Sequence, residues 1–95
     1  MKRMQASSHL QFENSQVIVT RWEFPPGSET GWHRHEHDYV IVPIIGGEML
    51  LETEEGNREV ILEAGVCYNR EEGTEHNVIN NGKSPFSFVE VEIKK

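Results

Sequence analysis

Two histidine-bearing segments hold the residue types in this chain best suited to chemistry. The first runs from Gly27 to Tyr39 and carries His33, His35 and His37; the second runs from Gly65 to Asn80 and carries His76. Imidazole is the commonest protein ligand for transition metals. On an extended strand, side chains alternate, so His33 and His35 point to one face. A third imidazole from a distant strand, His76, would close a three-nitrogen cap on a divalent ion. That cap leaves positions open for a substrate. The fifth histidine, His9, lies in a polar leader and is expected to face solvent.

Strands must bring these segments together. Val17–Phe24 reads as a strand, with Val17 and Val19 on one face and Ile18, Trp22 and Phe24 on the other. Pro25, Pro26 and Gly27 break it. Tyr39–Ile45 is a nearly continuous apolar run ending in Gly46 and Gly47, and Glu48–Thr53 reads as its hairpin partner. Arg58–Leu62, Val66–Arg70, Glu75–Ile79 and Phe86–Lys94 follow, separated by clusters of glycine, asparagine, proline and charged residues. No segment sustains a capped helical period. The reading is all-β: an antiparallel sandwich or barrel with little or no helix. Residues 1–10 read as a flexible leader and residues 11–95 as a single domain.

Ninety-five residues suffice for one core and no more. Sixteen acidic against nine basic residues give a net charge of −7, which disfavours nucleic-acid binding through a basic face. Met1, Lys2 and Arg3 precede no apolar run, and no stretch approaches a membrane span, so a cytoplasmic location is expected. Cys67 is the single cysteine, which excludes an internal disulfide. It reads as a small buried hydrophobe.

The spacing of the two segments resembles the paired motifs of the cupin superfamily. Gly27, His33, His35 and Gly46 fall at the places of the first motif, and Gly65, Gly73, His76 and Asn80 at those of the second. The likeness extends over about Val17 to Val91 and implies a jelly-roll barrel. The text around Phe24–Tyr39 and Glu75–Asn80 is also similar to minimal single-domain cupins, some associated with β-alanine breakdown. Two positions depart from the pattern. Glu71 replaces the second motif's proline, a turn substitution. Tyr39 replaces the first motif's glutamate, usually the fourth metal ligand. The resemblance therefore implies a three-histidine centre, as in thiol dioxygenases, rather than the carboxylate-bearing centre of oxalate-degrading cupins.

His37 and Tyr39 are the candidate catalytic residues, each with three roles open: fourth ligand, substrate-holding wall residue, or exposed side chain. Tyr39 could also act as acid or base, as tyrosines do in certain cupin lyases. Arg21, Arg34 and Arg70 could hold a substrate carboxylate, although Arg34 alternates away from His33 and His35. Trp22 and Trp32 are expected at the barrel mouth or wall, Asn77 and Asn80 as turn hydrogen-bonders. The expected cofactor is a divalent transition metal (Fe, Mn, Ni or Zn) on His33, His35 and His76. The expected function is a dioxygenase-like enzyme for a small anionic metabolite. The alternatives are a non-catalytic ligand-binding module and a lyase or isomerase using Tyr39. A homodimer paired through Val17–Phe24 or Phe86–Lys94 is expected.

Overall fold

The computed structural model describes residues 3–95. Its strands are β1 (Met4–Gln5), β2 (Ser7–Glu13), β3 (Val17–Phe24), β4 (Ser28–Glu29), β5 (His33–Arg34), β6 (Asp38–Ile45), β7 (Gly47–Thr53), β8 (Gly56–Leu62), β9 (Tyr68–Arg70), β10 (Glu75–Ile79) and β11 (Phe86–Ile93). No helix occurs among the described residues. One sheet has the order β1-β4-β10-β7-β8, with β5 also paired to β10; the other has the order β2-β3-β11-β6-β9. The jelly roll is thus an open pair of facing sheets rather than a closed barrel. The pairings are antiparallel except for β1 with β4, which is parallel.

Alternation decides what fills the space between the sheets. Phe24 of β3, Phe86 and Phe88 of β11, Ile41 of β6, Met49 and Leu51 of β7, Leu62 of β8 and Val78 of β10 form the core. Phe24 stacks on Phe86 with ring centroids 4.7 Å apart and meets Phe88 at 5.4 Å. Burying such rings supplies most of the cohesion available to a domain of this size. At Gly46 a side chain is excluded by close approach, since a Cβ there would lie 2.6 Å from the Leu62 carbonyl oxygen.

Three sequence expectations need correction. From Met4 onward the supposed leader is strand: β1 joins β4, and β2 pairs along β3. Ala6 is buried between them, which ties this polar stretch to the fold. Cys67 is exposed rather than buried, because it lies in the turn before β9 and not on an inward face. Neither Val17–Phe24 nor Phe86–Ile93 is a sheet edge: β3 lies between β2 and β11, and β11 between β3 and β6.

Asn80 closes the end of the sandwich beneath the core. It is fully buried, donates through Nδ2 to the carbonyls of Phe24 (2.8 Å) and Ser84 (2.9 Å), and accepts from the Gly82 amide (3.0 Å). Removing it orphans three backbone groups. Asn80→Ala is therefore expected to cost about 2–4 kcal/mol. Urea unfolding with an unchanged midpoint would contradict this account.

Candidate metal centre

The two histidine segments meet through backbone pairing. β5 runs antiparallel to β10, with His33 opposite His76 and Arg34 opposite Glu75. Beyond β5 the His35 amide donates to the Thr74 carbonyl (2.9 Å), and the Gly73 amide donates to the His35 carbonyl (2.8 Å). These bonds hold His35 against the turn that delivers His76, and Gly73 makes that turn with φ +90°. The three imidazoles then converge. His33 Nε2 lies 3.0 Å from His35 Nε2, which lies 3.1 Å from His76 Nε2. The rings stand nearly perpendicular to one another, at 71°, 73° and 86°.

This geometry suits a cation better than a hydrogen-bonded cluster, because one ring nitrogen cannot share a single proton well with two others. Metal–imidazole bonds of about 2.1 Å at right angles give a nitrogen–nitrogen edge of about 3.0 Å, against about 3.4 Å for a tetrahedral pair. The observed edges match the right-angled case. The donors are also electronically ready. Burial first, then His33 and His76, holds His35 down to about 3, and burial, His33 and Arg70 hold His76 down to about 4. Both rings are neutral at pH 7, with lone pairs available. His33 is oriented by its Nδ1, which lies 2.9 Å from the Gly31 carbonyl; donation there leaves Nε2 free to ligate.

Asn77 secures that orienting loop. Its Oδ1 accepts from the Gly31 amide (2.9 Å), and its Nδ2 donates to Glu29 (2.7 Å) and Glu52 (3.0 Å). Asn77 is a hydrogen-bonder, as the sequence indicates, and its bonds reach the loop that aims His33.

Tyr39, at the place of the missing glutamate, stacks its ring on His35 with centroids 3.9 Å apart. Its hydroxyl is buried and makes no hydrogen bond. Burial above all, and the nearby Glu90 carboxylate, push the phenol well above its ordinary value. His37 stands apart from the three-nitrogen group. Its Nδ1 faces Glu92 Oε2 at 3.3 Å, and it lines the same cavity. Strand parity fails for it because β5 ends at Arg34 and the chain bends before β6.

The cavity, about 370 Å³, opens from the histidines between the sheets. Trp22, Tyr68 and Phe88 form apolar walls, and Glu90 and Glu92 add two carboxylates. Burial, with Glu92 beside it, pushes Glu90 up to about 7, while the Trp22 indole pulls the other way. Sequence reasoning missed both glutamates. In Phe86–Ile93, the two phenylalanines and the Val89, Val91, Ile93 set lie on opposite faces. The valines made the glutamates look solvent-facing, yet the phenylalanines set the inward side. Trp32 is half exposed, and Arg34 is exposed with its Nε 3.7 Å from Glu75. Arg21 lies 3.7 Å from Glu23, and Arg70 lies over the Tyr68 ring at 4.7 Å. His9 is exposed, 3.0 Å from Glu23.

The buried imidazoles carry a pH consequence for the metal-free chain. Unfolded, both titrate near 6.5; folded, they stay neutral to about 4 and about 3. Between those limits the unfolded state binds more protons, so stability falls as pH drops from 6.5 toward 3. His35→Gln should flatten this acid slope. A slope identical to wild type in urea titrations across that window would argue against neutral buried rings.

A family model described as the cupin domain matches residues 20–92, which include all three histidines and both glutamates. The beta-alanine degradation protein BauB of Pseudomonas aeruginosa is 55% identical over 92 residues, 97% of each chain. The oxalate-binding protein of Thermotoga maritima is 32% identical over 79 residues, 82% of this chain and 63% of that protein. The crystal structure of a cupin domain from Bordetella pertussis Tohama I superposes with a TM-score of 0.97 at 56% identity, covering 100% of this chain and 99% of that one. By motif, fold and relatives alike, this chain belongs to the cupin family.

Proposed function

We propose that this cupin is a metal-dependent enzyme, dioxygenase-like in chemistry, that acts on a small anionic metabolite. The convergence of three imidazole nitrogens at 3.0 and 3.1 Å, at the head of a cavity, carries this reading. His33, His35 and His76 would hold one divalent ion. Three imidazoles suit Fe, Mn, Ni or Zn. A bound ion supplies Lewis acidity and, for iron, access to dioxygen chemistry. Tyr39, stacked on His35, would act as acid or base or as a wall residue. His37, backed by Glu92, forms part of the wall that positions the ligand. The apolar walls exclude water from the reacting end.

A second reading, a binding module without turnover, draws support from the Thermotoga maritima relative, which is named for oxalate binding. Elemental analysis followed by oxygen-uptake screening of the iron-loaded chain separates the two. Close to one ion per chain is expected in wild type and in His9→Ala, with at least a tenfold loss of affinity in His76→Ala. His37→Ala and Tyr39→Phe should keep the ion and lose turnover. Ligand binding with no turnover on any metal would favour the module. Equal metal content in a His33, His35, His76 triple alanine variant would refute the site.

The chain is also proposed to work in the cytoplasm as a homodimer. Among the described residues, no helix is long and apolar enough to cross a membrane. β2 supports the dimer: it is an outer strand of its sheet and exposes Leu10 and Phe12. Leu10→Glu with Phe12→Glu should convert a dimeric mass to the 11.0 kDa monomer in sedimentation. A wild type already monomeric at micromolar concentration would overturn this.

A further inference from the structure

Beyond the histidines, the cavity has a second pole. Side chains of β11 alternate, so Phe86, Phe88, Glu90 and Glu92 share the inward face. The strand passes from apolar core into the cavity and ends there in two carboxylates. These lie close to each other and to His35, with ligand atoms within 4.8 Å. Glu36 adds a third carboxylate to the lining. Glu36 is exposed at the rim, as is Arg34, which faces Glu75; His37 Nδ1 lies 3.3 Å from Glu92 and leaves Glu90 without a basic partner among the described residues. The aromatic faces of Trp22 and Tyr68 complete the wall.

A second observation marks the same place. Tyr39 is 2% exposed and lines the cavity, yet its hydroxyl has no hydrogen-bond partner. Buried hydroxyls are rarely left so. The neighbouring Glu90 and Tyr68 also belong to the cavity wall.

We infer that the ligand of this cavity carries an ammonium group held by Glu90 and Glu92, beside the three-histidine nitrogens that meet its other polar group. The inference rests on the metal-site reading above and narrows its ligand from a simple anion to a zwitterion. An ammonium brings three N–H donors, enough to bridge two carboxylates. The faces of Trp22 and Tyr68 favour a cation by their quadrupoles. A dianion would place its second charge against Glu90 and Glu92, where like charges repel.

The test titrates the metal-loaded chain by calorimetry with β-alanine and 4-aminobutyrate, and with their amine-free analogues propionate and butyrate. The amino compounds should bind about tenfold tighter or better. Glu90→Gln and Glu92→Gln should each shrink that gap while leaving one ion per chain by elemental analysis. Equal affinities, no binding by any of the four, or a gap that survives in the double variant would overturn the inference. So would two ions per chain, which would make His35, Glu90 and Glu92 a second metal site. Butylamine, titrated into metal-free protein and followed by NMR, tests the acidic pole alone. If wild type holds no metal but butylamine shifts the Trp22 and Tyr68 resonances, and Glu90→Gln abolishes this, the metal reading fails and the ammonium site stands. No shift from butylamine counts against the ammonium site.

Discussion

The pairing of β5 with β10 is the constraint on which the site depends. Two residues of antiparallel ladder, extended by the backbone bonds between His35 and the Gly73–Thr74 turn, bring together segments far apart in sequence. Three imidazoles then share a space where His35 and His76 cannot be charged cheaply. Burial and the neighbouring charges hold His35 and His76 neutral, and the ring nitrogens of all three histidines draw together. The asparagine network behind the loop gives this arrangement its stiffness. Gly31 is held from one side by Asn77 and bonded on the other by His33, so the first ligand inherits its aim from a buried amide.

Much of this was legible in the residues. The turn clusters and alternating runs located the long strands, and Val17–Phe24 and Glu75–Ile79 match to the residue. The ligand set came from type and spacing, because imidazoles at matching motif positions have few other uses in such a pattern. What stayed hidden depended on tertiary context. β2 is exposed on both faces and offers only Leu10 and Phe12 as an apolar alternation, too short to betray a strand; its partner β3 supplies the order. Cys67 is apolar by nature but lies in a turn, where composition says nothing of depth. His37 kept the parity of its neighbours in sequence and lost it in space, because the chain bends before β6.

The glutamates of β11 are the most instructive omission. A strand with phenylalanines on one face and valines on the other offers two candidate inward sides, and alternation alone cannot choose. The stacked rings of Phe24, Phe86 and Phe88 make the choice by volume and shape. Once they are fixed inward, Glu90 and Glu92 turn into the cavity, partly buried. Their burial is a by-product of core packing four residues away, and it sets the electrical character of the cavity.

β11 thus joins two tasks along one line. Its first half is structural and intolerant, since every atom there is matched by a ring or an aliphatic chain across the sandwich. Its second half lines the cavity, where Glu90 meets the Trp22 indole and Glu92 the His37 ring on one side and open space lies on the other. A lineage that kept Phe86 and Phe88 could therefore exchange residues 90 and 92, together with their partners Trp22 and His37, and meet new ligands on an unaltered scaffold. Divergence of specificity among such small domains would then be written in a few inward positions near a strand's end, while the histidines and the core stay the same.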